Sequence, residues 1–300
     1  MGEGIENFLN EIKSMIETNY KGEERISSQI DALNLYYVTK PTKMTATIYE
    51  PSICIIAQGK KEVEFGDELR GYDTQTYLLS SVYMPAHFSV LEASSKRPFL
   101  GLTITFSMEQ IFDALQDIAT QSKIYSSPKR GLYFGTIERR LLEPITRLVR
   151  LLEVPEDIDI MTPLIIKEIL YMLLRDEGGD FIRQYVMDGS AAQRVVEAII
   201  KIKNSFKEPL NIKELARSVS FSESSLYHNF KKITAVSPLQ FQKQLRLHEA
   251  RQMLITQDID VSQAAFEVGY ESPSQFSREY SRMYGLAPRD DRREHINGNK

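Results

Sequence analysis

The chain has one cysteine, Cys54, in 300 residues. That excludes an internal disulfide framework and any zinc site that needs several thiolates. Its histidines, His87, His228, His248 and His295, are scattered, with no HxH, HExxH or CxxC spacing. No metal motif is visible, and neither metal nor cofactor is expected. Long apolar runs are missing too. The longest charge-free stretch, Thr74–Leu91, carries Thr, Gln, Ser and Pro throughout and makes a poor membrane span. No basic segment followed by an apolar one opens the chain, so no secretory signal is read. A soluble, cytoplasmic protein without a membrane partner is expected.

What is present suits a folded chain of two ordinary domains: 42% hydrophobic and 26% charged residues, too apolar for wholesale disorder. The net charge of −4 hides an asymmetry. Residues 190–300 carry 17 Lys/Arg against 13 Asp/Glu, a surplus of +4, and residues 1–189 carry −8. A basic C-terminal third on an acidic body is a first hint of nucleic acid.

Residues 5–18 place Ile5, Phe8, Leu9, Ile12, Met15 and Ile16 at helical spacing. From about 33 to 106, short runs such as LNLYYV, TATIY, SICIIA, KEVEF, TYLLSS, FSVLEA and LGLTITF alternate with turn residues. Many short strands at such intervals predict a β-sandwich or small barrel, with a hairpin at Gly66-Asp67. Helical patterns return at MEQIFDALQDI, IERRLLEPITRLVRLLEV and PLIIKEILYMLLRDEGG. Pro144 predicts a late start or a kink in the second of these. Apolar stripes (Leu141, Ile145, Leu148, Leu152; Leu164, Ile165, Ile169, Leu173) are expected to hide on the barrel or on a second subunit. Gly178-Gly179 should end the last helix, leaving 178–190 as a linker.

The last third contains itself twice. Ile212, Leu215, Ala216 and Val219 recur as Val261, Ala264, Ala265 and Val268; Leu226, Phe230 and Pro238 recur as Phe276, Tyr280 and Pro288. Each copy reads as helix, tight turn, helix. The turns sit at Ser220 and at Gly269, where glycine takes positive φ without strain. This is the helix-turn-helix pattern, whose second helix enters the major groove. Between the copies, PLQFQKQLRLHEARQMLI carries Phe241, Leu245, Ala250 and Leu254 on one track. A rigid bridge of this kind could hold two recognition helices about one DNA turn, roughly 34 Å, apart.

The second helices carry suitable chemistry. The first offers Ser224, Ser225, Tyr227, His228, Asn229, Lys231 and Lys232 around buried Leu226 and Phe230. The second offers Ser274, Gln275, Ser277, Arg278 and Arg282 around Phe276 and Tyr280. Arg pairs bidentately with guanine, and Gln or Asn with adenine; hydroxyls and lysines hold phosphates. Ser222 and Ser272 are N-caps beside amides that suit a phosphate. A solvated helix face without a ligand is the plainer alternative.

At these residues the chain resembles the AraC/XylS family of bacterial transcription regulators. SPLQFQKQLRLHEARQML resembles the family's bridging helix, and AAFEVGYESPSQFSREYSRMYGLAP its second helix-turn-helix signature. Tyr280, Ala287 and Gln242 depart from the residues usual there. The resemblance implies base contacts from Ser224, Tyr227 and His228, and from Ser274, Gln275 and Arg278. YEPSICIIAQGKKEVEFGDELRGYDTQTYLLSSVYMPAHFSVLEASSKRPFLGLTI resembles the cupin-like N-terminal domain of one AraC subgroup. The implied fold is α+β. A cupin-like barrel with flanking helices (1–185) senses an effector and dimerises. An all-α DNA-binding domain (191–300) follows, with helix-turn-helix units at about 210–233 and 261–284 joined by a bridge at about 238–255. The implied partners are double-stranded promoter or operator DNA, a small-molecule effector, RNA polymerase and a second copy of the chain.

A small barrel can enclose one ligand. Cys54, the effector-sensing candidate, is either a buried small hydrophobe or a sensor of an electrophile such as an aldehyde. The second role needs a lowered pKa and access, with Lys60, Lys61 and His87 as sources of positive potential. The leading reading is a ligand-responsive, sequence-specific transcription regulator that needs no catalysis and no catalytic residue. The alternative is a cupin-type enzyme with an attached DNA-binding domain. A third reading, an architectural or repair protein acting on DNA, rests on Cys54 alone.

Overall fold

The computed structural model describes residues 2–20, 25–116, 130–186, 189–257 and 259–298. Helix α1 (Gly2–Asn19) opens the chain and buries Leu9, Ile12, Met15 and Ile16. Strands follow as β1 (Arg25–Ser27), β2 (Leu33–Val38), β3 (Thr45–Tyr49), β4 (Ser52–Gln58), β5 (Lys60–Phe65), β6 (Glu68–Tyr72), β7 (Thr76–Ser80), β8 (Met84–Glu92) and β9 (Phe99–Thr105). After α2 (Met108–Gln116) and β10 (Leu132–Thr136) come α3 (Arg139–Arg150), α4 (Ile158–Arg175) and α5 (Glu177–Val186).

The strands form two sheets, ordered β1-β2-β9-β4-β7-β10 and β3-β8-β5-β6, with antiparallel pairing. Strand alternation divides their side chains between two cores. Cys54, Ile56, Val63, Phe65, Leu78 and Val90 belong to the interior between the sheets. Ile53, Ile55, Leu79, Leu100, Leu102 and Ile104 face the helices and join α1, α3 and α4 in the larger core. Central strand β4 is covered on both faces, which explains why SICIIA reads as a continuous apolar run rather than an alternation.

Several expectations need correction. The helix containing Pro144 does not start late: α3 begins at Arg139, and Pro144 sits buried in its second turn. Residues 178–190 are not simply a linker, because α5 occupies most of them. A Cβ on Gly179 would lie 2.0 Å from the Leu174 carbonyl oxygen, so that glycine permits a close approach rather than ending a helix. Leu164 does not join Ile165, Ile169 and Leu173 inside; it is 58% exposed. Strands β1 and β10 went unread. The last two residues of the helix expected at 108–118 lie outside the described residues.

The C-terminal part is helical: α6 (Ala191–Asn204), α7 (Ile212–Ser218), α8 (Glu223–Thr234), α9 (Pro238–Thr256), α10 (Val261–Glu267), α11 (Pro273–Tyr284) and α12 (Pro288–Gly298). It docks on the barrel. Helices α9 and α11 contact β3, Lys203 Nζ lies 4.0 Å above the Tyr83 ring and hydrogen-bonds its hydroxyl, and the Gly131 amide donates to the Ile233 carbonyl at 3.2 Å. The larger core runs from α1 through α5 to α9 without a break. In α12, Asp291 is 2% exposed and accepts from Arg251 Nε at 2.7 Å and from the Tyr280 hydroxyl at 2.6 Å.

Candidate nucleic-acid interface

The two repeats fold alike. In the first, Asn211 caps α7 through its side chain, Ser220 turns at φ 57°, and Ser222 caps α8 by accepting the Ser225 amide. In the second, Asp260 caps α10, Gly269 turns at φ 86°, and Ser272 caps α11 by accepting the Gln275 amide. Each cap takes one of the amides that the start of a helix leaves unpaired. Leu226 and Phe230 in α8, and Phe276 and Tyr280 in α11, are fully buried. Each anchor contributes about 1.5–3 kcal/mol by leaving water, so the opposite face of each helix is held outward.

That outward face carries most of the expected residues. On α8, Ser224, Tyr227, His228, Lys231 and Lys232 are exposed. Ser225 is half-buried and bonded to Ser222 Oγ at 2.9 Å, while Asn229 Nδ2 donates back to the Ser225 carbonyl at 2.9 Å. On α11, Ser274, Gln275, Arg278 and Arg282 are exposed and Ser277 is half-buried. Ser274, Arg278 and Arg282 stand four residues apart and form one stripe along the helix. Glu279 on the same helix is tied by Lys243 at 3.0 Å, the Tyr270 hydroxyl at 2.8 Å and Gln275 at 3.3 Å. Those hydrogen bonds outweigh its burial and hold its carboxyl below the usual range. The one carboxylate of α11 is thereby held by partners.

Arg246, a residue the sequence reading passed over, fastens the two units. From the middle of α9 it donates to the carbonyls of Phe206 at 2.6 Å, Lys207 at 2.8 Å, Glu208 at 3.0 Å and Gly269 at 2.9 Å. Gln242 adds bonds to Phe206 at 3.1 Å and Glu208 at 2.7 Å, so a polar residue at that family position has a local reason. The loop before the first unit and the turn of the second are thus held by one helix. The signal was an arginine on the buried side of a predicted helix, which must find acceptors.

Residues 29–181, just over half of the chain, match a family model described as the AraC-type transcriptional regulator N-terminus. A helix-turn-helix domain model matches residues 215–294. The chain belongs to the AraC/XylS family of transcriptional regulators. It is 32% identical over 110 residues to the HTH-type transcriptional regulator ArgR of Pseudomonas aeruginosa, covering 37% of this chain and 33% of that one. It is 26% identical over 201 residues to the activator RhaS of Citrobacter koseri, covering 64% and 69%. In ArgR, CdhR and GbdR the match spans about a third of the relative's length. Among solved structures, fatty-acid-bound ToxT from Vibrio cholerae superposes with a TM-score of 0.64 at 13% identity, over 87% of this chain and 94% of that one, which shows a shared fold.

In this AraC-type chain Cys54 faces the barrel interior and is 6% exposed. Thr103 Oγ1 donates to its Sγ at 3.4 Å. Burial pushes the thiol up, against a smaller downward pull from Lys61, so it stands as a thiol. Of the three expected cations Lys61 alone acts on it. His87 alternates to the outer face of β8, 3.8 Å from Glu64. Among the described residues no group of three or more His, Cys, Asp or Glu could hold a metal, and no helix is long and apolar enough to cross a membrane.

Proposed function

We propose that the chain is a sequence-specific DNA-binding transcription regulator, with a DNA-binding part at 191–300 governed by an effector-sensing part at 1–185. The supporting observation is the pair of helix-turn-helix units, alike in turn and cap, with outward faces held by one bridge. Arg278, Gln275 and Ser274, with Tyr227, His228 and Ser224, are assigned to base edges. Lys231, Lys232, Arg282 and the polar groups of Ser222, Ser225, Asn229, Ser272 and Ser277 are assigned to phosphates and to ordering the two helices.

The effector is a small molecule held between the sheets. ToxT, a fold relative, holds an unsaturated fatty acid, which supports a ligand-binding barrel here. Cys54 lines the same space, but its buried thiol, pushed up by that burial, lacks the lowered pKa and the access that a sensor of an electrophile such as an aldehyde needs; it is assigned to the lining, and a full response in Cys54→Ser tests that role. Occupancy would shift the docking of α9 and α11 on β3, and with it operator affinity or contact with RNA polymerase. A second copy is the remaining partner. Helix α4 leaves Ile160 70% and Leu164 58% exposed, an apolar stripe suited to self-association. The chain acts in the cytoplasm, where its DNA lies, and needs no catalytic residue.

Selection of random duplex DNA on the full chain tests the reading. An enriched motif covering two successive major grooves is expected. Retention of DNA without enrichment at low salt, where binding is strongest, would favour an architectural role instead.

A further inference from the structure

The turn of the first helix-turn-helix unit is held from behind. Arg194 stands in the first turn of α6, and its Nη1 donates to the Ser220 carbonyl at 3.1 Å. The guanidinium carbon lies 5.4 Å from the Phe221 ring centroid. The other terminal nitrogen, Nη2, donates to the Gly189 carbonyl at 3.1 Å. The planar fork is thus fixed between two backbone oxygens and a ring face. The start of α6 is itself well tied: Ser190 Oγ accepts the Gln193 amide at 3.0 Å, and Gln193 Oε1 accepts the Gly189 amide at 2.8 Å.

The second unit has the same contact from a different position. Arg246 of α9 donates to the Gly269 carbonyl at 2.9 Å, and its guanidinium carbon lies 6.0 Å from the Tyr270 ring centroid. In both units an arginine on the helix behind takes the carbonyl of the positive-φ turn residue and lies beside the aromatic residue that follows it. The sequence repeat does not account for this. Ser220 and Gly269 are 49 residues apart, whereas Arg194 and Arg246 are 52 apart, so two unrelated positions supply one kind of contact. That contact sits where a recognition helix takes its direction. The Ser220–Phe221 peptide leads into the Ser222 cap of α8. Phe221 precedes the cap and packs into the same core as Leu226, at the two positions whose contact fixes the angle at which a chain enters a helix.

We propose that Arg194 is a positioning residue for DNA reading: by holding the Ser220 carbonyl and the Phe221 ring it sets the angle of α8, and with it the base discrimination of Ser224, Tyr227 and His228. A hydrogen bond to a base edge weakens steeply with distance and angle, whereas a lysine follows a phosphate on its flexible stem. Loss of the clamp therefore costs selectivity in one groove and spares general affinity for DNA. The inference rests on the reading of α8 as a recognition helix.

The test uses the full chain and fluorescence anisotropy on its selected motif, on duplexes with single base-pair changes and on a scrambled duplex. Tyr227→Ala and His228→Ala mark the base pairs read by α8, and Arg278→Ala those read by α11. In wild type a change at a marked pair should weaken binding about tenfold. Arg194→Met should cut that ratio to about threefold or less at the α8 pairs, leave it at about tenfold at the α11 pairs, and leave the scrambled duplex unchanged. Arg194→Lys, which keeps the stem and the charge but loses the fork, should fall between the two. Circular dichroism establishes that each variant is folded, and Arg194→Lys carries the test if Arg194→Met is not. A merely structural role would lower the active fraction, which weakens every duplex alike and leaves the ratios untouched. No pair marked by the α8 substitutions, folded variants with wild-type ratios, or an equal fall in both grooves would each overturn the proposal. Selection with wild type separates the two claims: an enriched motif with unchanged ratios in the variants removes this inference and leaves the regulator standing, and no enriched motif removes both.

Discussion

Ser220 and Gly269 occupy equivalent positions in the two helix-turn-helix units, and both carry positive φ, 57° and 86°. The repeat in the sequence placed them there, and the same turn is made once by a residue that resists it and once by one that does not. A side chain in the left-handed region costs roughly 1–2 kcal/mol relative to glycine. Ser220→Gly should therefore stabilise the C-terminal part by about 1 kcal/mol in urea unfolding, less the extra freedom glycine gives the unfolded chain. Gly269→Ala should do the opposite and cost about 2 kcal/mol or more. Its Cβ would lie 2.1 Å from the Lys207 carbonyl oxygen, in the loop that Arg246 holds. Equal effects of the two substitutions would contradict this assignment of strain.

The buried group of Arg251, Asp291 and Tyr280 gives a second expectation. Removing one partner of a buried ion pair strands the other, at a cost of about 3–5 kcal/mol. Asp291→Ala should lose about 3 kcal/mol, since Arg251 keeps 18% side-chain exposure. Tyr280→Phe, which removes one hydrogen bond to a charged group, should lose about 1.5–3 kcal/mol. Denaturant melts followed by far-ultraviolet dichroism measure both. A neutral Asp291→Ala would mean that α12 does not fasten the second unit.

His248 makes stability depend on pH. Burial pushes it from 6.5 down to about 4, with Arg251 and Arg25 adding to the fall. Between those two values the unfolded chain binds more protons than the folded one. The contribution is therefore complete above pH 6.5 and is lost as pH falls towards 4, at about 1.4 kcal/mol per unit in mid-range. Urea midpoints at pH 7.5 and pH 5 should differ more for wild type than for His248→Leu. An unchanged difference would show that the imidazole is solvated.

The exposed stripe on α4 predicts a dimer. Light scattering on the full chain should give twice the monomer mass, and Ile160→Glu with Leu164→Glu should give a folded monomer. A wild-type monomer at tens of micromolar would remove α4 as the contact.

Much of this was legible. Prolines and glycines separate most of the strands from β2 to β9, and the apolar runs place both ends of β2, β3, β4, β5, β7 and β9 within one residue. The doubled helix-turn-helix pattern placed Ser222 and Ser272 as caps because the cap chemistry is local. What escaped reading depends on partners distant in sequence. Strand β10 needs Gly135, where a Cβ would meet the Tyr77 ring at 2.2 Å, almost sixty residues back. Asp291 is held by Arg251, forty residues away, so no local pattern marks its burial. Leu164 had the right spacing for burial and the wrong side of the helix. Lys61 was read as a potential neighbour of Cys54, but its place over the Phe88 and Tyr49 rings shows only in three dimensions.

The central claim is that the faces of α8 and α11 read DNA sequence. Its most direct test is the affinity of the full chain for its selected motif and for a scrambled duplex, with wild type and Arg278→Ala. The account predicts a loss of about 1–3 kcal/mol on the motif and little change on the scrambled duplex, because a base contact is removed and the phosphate contacts remain. An equal loss on both would make Arg278 a phosphate contact, and no loss on either would contradict the assignment of α11 to the major groove.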